Sequence, residues 1–143
     1  MNTLNSKQGN IELAYLILRL TIGVNIFVHG LVRIPKLDAF NVWMVDYFKD
    51  TFLPEFMVSQ LAYAMPFMEF IVGALLIIGL FTRKALLAGA LLMVVLIFGA
   101  CLRENWEWAS FQLIYALFYF ILSYLIDLNK FSIDNMIQKN KKE

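Results

Sequence analysis

The stretch TIGVNIFVHGLVRIPK, residues 21–36, decides how the rest of the chain is read. It begins as an unbroken apolar run. It then sets Asn25, His29 and Arg33 at four-residue intervals, with Arg19 one turn upstream and Pro35 near its end. Each helical residue turns about 100°. Counted from Arg19, Asn25, His29 and Arg33 fall at roughly 240°, 280° and 320°. All four share about a third of the circumference, with Gly23 and Gly30 beside them. The stretch is therefore an apolar helix with one polar edge. In lipid that edge has to face protein, and small residues beside it let a second helix approach closely.

Composition extends this reading to the whole chain. Of 143 residues, 61% are hydrophobic and only 16% charged, and the mean hydropathy is +0.69. Soluble domains carry about 45–50% apolar and about 25% charged residues. The apolar residues also come in long runs. Arg19 is the only charge from Leu13 to Val32, Glu69 the only one from Phe56 to Thr82, and none occurs from Ala85 to Leu102 or from Trp108 to Ile126. A bilayer core about 30 Å thick needs about 20 such residues per helix. Backbone groups in lipid must be satisfied internally, and no strand-like alternation is present. The expectation is all-α: a single integral membrane domain over residues 1–143, with spans at about 12–34, 57–81, 85–102 and 108–127. The first span reads as retained, because Arg19 interrupts the apolar region and no small-residue cleavage site follows it.

Loop charges set the orientation. Lys7, Arg83, Lys84, Lys130, Lys139, Lys141 and Lys142 fall on one side, against Arg33, Lys36, Lys49 and Arg103 on the other. Both termini are expected on the cytoplasmic face of a bacterial inner membrane. Trp43, Trp106 and Trp108 then form an outer aromatic belt. In the first outer loop, Phe40, Trp43, Met44, Tyr47 and Phe48 keep helical spacing while Asp46, Lys49 and Asp50 fall off the stripe. This predicts a short amphipathic interfacial helix at about 38–50. Trp43 and Tyr47 on it are candidates for a lid or a docking surface, or simply shield the bundle top. Phe131, Ile133 and Ile137 in the C-terminal tail are expected to touch lipid.

Net charge is +1, and no basic stripe interleaves with aromatics, so nucleic acid is not an expected partner. One cysteine, Cys101, forms no internal disulfide and reads as a small packing residue. One His, one Cys and one deep carboxylate make no metal site. No phosphate loop or nucleophile elbow occurs.

Glu69 lies mid-span, with Pro66 and Gly73 on its face. Pro66 lacks an amide and frees a carbonyl one turn earlier. At 1.5 Å per residue, Arg19 lies about 10 Å from the cytoplasmic end, Glu69 about 18–20 Å and His29 about 25 Å. An Arg19–Glu69 pair, bridged on its outer side by Asn25 or His29, is the expected arrangement. An unpaired charge at a helix centre costs about 2.5–3.5 kcal/mol. Arg19, Asn25, His29, Arg33, Glu69 and Gln112 make up the candidate cluster. It serves either as a site for a quinone headgroup or protons, or as an ion pair that fixes helix register. Gln112 and Ser110 also read as caps of the fourth span, and Tyr115 and Tyr119 as packing residues. Ala85 and Gly89 form a small-residue pair suited to helix contact.

LILRLTIGVNIFVHGLVRI (16–34), LPEF (53–56) and MEFIVGALLIIGLFTRKALLAGALLMVV (68–95) together resemble the DoxX family of small bacterial membrane proteins. The shared features are Arg19, the small-residue turn before a basic residue (His29, Gly30, Arg33), and Glu69 followed by Gly73 and GLFTR. Arg33 stands where the family often has Lys. The resemblance spans about residues 12–128 and implies a four-helix integral membrane protein. Some relatives are named as the small subunit of a thiosulfate:quinone oxidoreductase, and others are linked to oxidoreductase complexes that handle thiol stress. The expectation is a membrane subunit of a quinone-linked complex, with no intrinsic cofactor beyond a quinone and no catalysis by the chain alone. Its partners are the bilayer and either a second protein or further copies of itself. The alternatives are a non-enzymatic scaffold and a small-solute or proton pathway.

Overall fold

In the computed structural model, which describes residues 2–140, the chain is all-helical. Helix α1 runs Asn2–Arg33 and passes through a 3-10 turn, Ile34–Lys36, into α2, Leu37–Phe48. Pro35 at the start of that turn breaks the helix, since its ring lacks the amide and crowds the preceding turn. Helix α3 spans Glu55–Ile78, α4 Thr82–Leu102 and α5 Trp106–Tyr124. A 3-10 turn, Ile126–Leu128, leads to the short α6, Ile133–Asn140.

Among the described residues, three stretches are long and apolar enough to cross a membrane: 7–48, Glu55–Ile78 and Thr82–Leu102. Their outward faces carry Ile17, Val24 and Leu31 on α1, Phe67 and Ile71 on α3, and Leu87, Leu91 and Val94 on α4, all exposed. So many large apolar groups on one surface would drive association in water but match acyl chains. With the family described below, they make this a multi-pass membrane protein.

Glycine brings α1 and α3 together. A Cβ on Gly30 would collide with the Pro66 carbonyl and the Phe70 backbone, and one on Gly73 would collide with the Phe27 backbone. The contacts 23–77, 27–73 and 30–70 step along one antiparallel register. Direct backbone contact at small residues is how apolar helices adhere without a hydrophobic drive from water. Helix α2 keeps that register, with Asp38 accepting from Tyr63 at 3.0 Å and the Asn41 amide donating to Ser59 Oγ at 2.8 Å. Thus α2 runs beside the first half of α3. Its apolar stripe buries Met44 and Phe48 against the bundle, while Lys49 and Asp46 pair at 2.9 Å in solvent. That hydrogen bond raises the Lys49 pKa.

Between α4 and α5 the small-residue notch takes an aromatic ring. Tyr119, fully buried, fills the space a side chain on Gly89 would occupy. The core between the helices is built from Ile22 and Ile26, Met65 and Leu76, Leu86 and Met93, and Leu122. Cys101 is exposed and not a packing residue.

Candidate functional site

The polar edge of α1 divides between two places. Arg33, its last residue, donates from Nη1 to both oxygens of Glu69, at 2.5 and 2.6 Å. Glu69 is only 2% exposed, whereas the Arg33 side chain keeps 30%. A carboxylate at this depth needs a cation, and Arg33 supplies one. Its position at the C-terminal end of α1 also suits a positive charge, because unpaired carbonyls gather there. The Phe40 ring backs the guanidinium, with Cζ 5.0 Å from the ring centroid.

This corrects the expected Arg19–Glu69 pair. Arg19 donates from Nη1 to Asn129 Oδ1 and from Nη2 to the Phe131 carbonyl at 2.9 Å. It sits level with Gly79, where a Cβ would meet its Nη1 at 2.5 Å. Gly79 is ten residues beyond Glu69 on α3, a rise of about 15 Å. Along the register that sets 23 opposite 77, position 19 falls past the end of α3 and not beside Glu69. Neither His29 nor Asn25 bridges to Glu69 in the hydrogen bonds formed.

Asn25, His29, Arg33, Glu69 and Gln112 all line one cavity of about 730 Å³. Its other walls are mainly apolar and come from α2, α3, α4 and α5. The Asn25 amide donates to the Tyr115 hydroxyl at 3.3 Å, which ties α1 to α5. His29 Nδ1 lies 2.8 Å from the Asn25 carbonyl. A carbonyl only accepts, so Nδ1 carries the hydrogen, and in that tautomer Nε2 is the acceptor. Tyr115, expected to be a packing residue, is thus part of the polar lining. Ser110 bonds its own helix at the Trp106 carbonyl, 2.7 Å away.

Trp43 and Tyr47 form an aromatic wall of the same cavity. Tyr47 lies 5.3 Å from Trp43 and 5.5 Å from Trp108, and the two indoles are 6.1 Å apart, so the three rings form one cluster. Arg103 lies over the Tyr47 ring at 5.0 Å, and Asn105 donates to its hydroxyl at 3.2 Å. The cavity opens sideways: Phe56 and Met57 on α3, and Val95 and Phe98 on α4, line it and are also exposed on the apolar surface. Helices α3 and α4 are joined by the turn at Gly79.

The second polar group lies at the other end and was not foreseen. Asp134 accepts from the Phe81 and Thr82 amides at 2.8 and 2.7 Å, capping the start of α4. Its own amide bonds the Gly79 carbonyl at 3.0 Å. Asn129 accepts from Arg19 while donating to Thr82 Oγ1 at 3.0 Å. The tail thereby pins α1, α3 and α4 together. In the sequence these residues read as a solvated tail, with no spacing to mark them.

The family model for DoxX matches residues 14–101. The chain belongs to the DoxX family. The match takes in Arg19, His29, Arg33, Glu69 and the glycines between α1 and α3. In this DoxX protein Gln112, Tyr115 and Trp108, and the whole of the C-terminal clasp, lie beyond the matched segment. The same comparisons return no similar curated protein and no similar solved structure.

Proposed function

We propose that this DoxX-family chain is the membrane subunit of a quinone-linked oxidoreductase complex, and that its cavity receives the ring of a lipid-borne quinone. On this reading the chain lies in the bacterial cytoplasmic membrane. It crosses four times, α5 being the fourth pass, and both termini are cytoplasmic. The supporting observation is the cavity itself: apolar walls, a polar end built from Asn25, His29, Arg33 and Glu69, and a mouth on the lipid-facing surface. Ligand sites of this size typically combine apolar walls with a few placed polar groups. A lateral mouth suits a molecule dissolved in the bilayer. Flat rings fit against Trp43, Tyr47 and Trp108.

A bound quinone would supply electron and proton acceptance. The chain's own residues bind and orient it: Arg33 faces one of its oxygens, and the aromatic wall holds its plane. Glu69 holds Arg33 in place. A partner subunit provides the electrons. The test is titration of the protein in lipid nanodiscs with a short-tailed quinone, followed by tryptophan fluorescence. Saturable quenching that shrinks in Trp43→Phe or Trp108→Phe is expected. No saturable quenching, together with electron flow unchanged in Glu69→Gln membranes, defeats the reading. Loss of a native complex in Trp43→Ala but not in Glu69→Gln would favour the scaffold alternative.

A further inference from the structure

The polar end of the cavity is short of hydrogens. His29 spends its ring N–H on the Asn25 carbonyl, and Nε2 has no partner among the described residues. Asn25 Oδ1 and Gln112 Oε1 are buried with no donor. The Asn25 amide nitrogen is already committed to Tyr115. Arg33 is the one cation that the described residues bring to the lining, and Glu69 takes its Nη1. Two buried acceptors, Asn25 Oδ1 and Gln112 Oε1, and the open His29 Nε2 thus belong to residues of one lining, with a guanidinium that has one nitrogen already bound. Buried acceptors without a partner are costly, and the deficit is relieved by a ligand that brings hydrogens.

We propose that the cavity selects a ring head bearing hydroxyl hydrogens over the same head without them, and that His29 is the specificity-determining residue. One hydroxyl donates to His29 Nε2. A second oxygen on the ring accepts from the free edge of Arg33, one helical turn further along α1. The apolar tail leaves through the mouth between Met57 and Phe98. A phenol or hydroquinone with an alkyl tail has this pattern. The corresponding quinone or methyl ether can still accept from Arg33 but offers nothing to His29, Asn25 or Gln112. The proposal rests on the cavity being the ligand site. It adds which chemical form is held.

The experiment compares three forms of one short-tailed ring in nanodiscs: the hydroquinone kept reduced, the quinone, and the bis-methyl ether. Binding is read from tryptophan quenching and, independently, by calorimetry. The hydroquinone is expected to bind at least about tenfold tighter than the ether, the ratio one unshared hydrogen bond sustains. In His29→Phe that preference should fall below about threefold, while the affinity of the ether changes little. Equal binding of the three forms by the unaltered protein overturns this inference and leaves the cavity reading standing. If none of the three binds saturably, both fall. The ligand series on the unaltered chain decides the matter even where His29→Phe fails to fold.

Discussion

Breaking the Arg33–Glu69 pair should be strongly asymmetric, and the asymmetry follows from burial. Removing one partner of a buried pair costs about 3–5 kcal/mol, because the other charge is stranded. In Arg33→Met the stranded group is Glu69, with 2% of its side chain exposed and no second cation bonded to it among the described residues. A loss of about 3 kcal/mol is expected. In Glu69→Gln the stranded group is Arg33, which retains 30% exposure and the Phe40 ring. The expected loss there is about 1–2 kcal/mol, below the full central-membrane cost of a cation. The double variant should lose no more than about 2 kcal/mol, because no charge is left at this level. The coupling energy is then about 2–3 kcal/mol, well above the roughly 0.6 kcal/mol typical of hydrogen-bonded pairs between membrane helices. Reversible unfolding in bicelles, with all four proteins of the cycle, measures it. A second cycle on Arg19→Met and Glu69→Gln is the control and should be additive within about 0.5 kcal/mol. Coupling below about 0.5 kcal/mol in the first cycle, or comparable coupling in the second, refutes the assignment of Glu69 to Arg33.

Gly73→Ala should lower thermal stability by about 1–3 kcal/mol, since the added Cβ meets the Phe27 backbone, which cannot step aside. Gly99→Ala should be near neutral in the same melts, because its new contact is the edge of the Phe48 ring at 3.1 Å. Asp134→Ala removes two capping bonds from α4 and should cost about 1 kcal/mol, with faster hydrogen exchange at the Phe81 and Thr82 amides. Arg19→Lys cannot reach Asn129 Oδ1 and the Phe131 carbonyl with one planar fork, and should cost about 1–3 kcal/mol by unfolding measurements.

The helical class and the membrane setting were legible because both follow from local composition. The cluster on α1 was legible as a stripe because a 100° step needs only the sequence. Which residue meets Glu69 was not legible. Arg19 and Arg33 both lie on the stripe, and choosing between them requires the register of α1 on α3. The glycines carried the missing information. Gly23, Gly30 and Gly73 fix the register of α1 on α3, and with 27 opposite 73 the next turns of α1 bring Arg33 toward Glu69. Tyr115 was missed for a different reason: a tyrosine on an apolar helix packs by default, and its bond to Asn25 depends on how α1 and α5 face each other. The C-terminal clasp depends on the tail folding back across the Gly79 turn, which no periodicity encodes.

The aromatic wall and the polar end of the cavity meet at one break in the helix. Pro35 ends α1 just beyond the last glycine contact, and α2 restarts along α3 in the same register, held by Asp38–Tyr63 and Asn41–Ser59. On α2, Trp43 and Tyr47 meet Trp108 of α5, and these rings wall the cavity that Glu69 lines. The residue at the break is the one whose charge suits a helix C-terminus and whose side chain is long enough to turn back to Glu69. Replacing Pro35 by Ala tests this directly. A helix allowed to run on should swing Trp43 and Tyr47 off the cavity wall and abolish saturable ligand quenching. The Arg33–Glu69 coupling should survive, because it depends on the glycine register below the break. Loss of the coupling with quenching intact would show that the break and the pair are independent features.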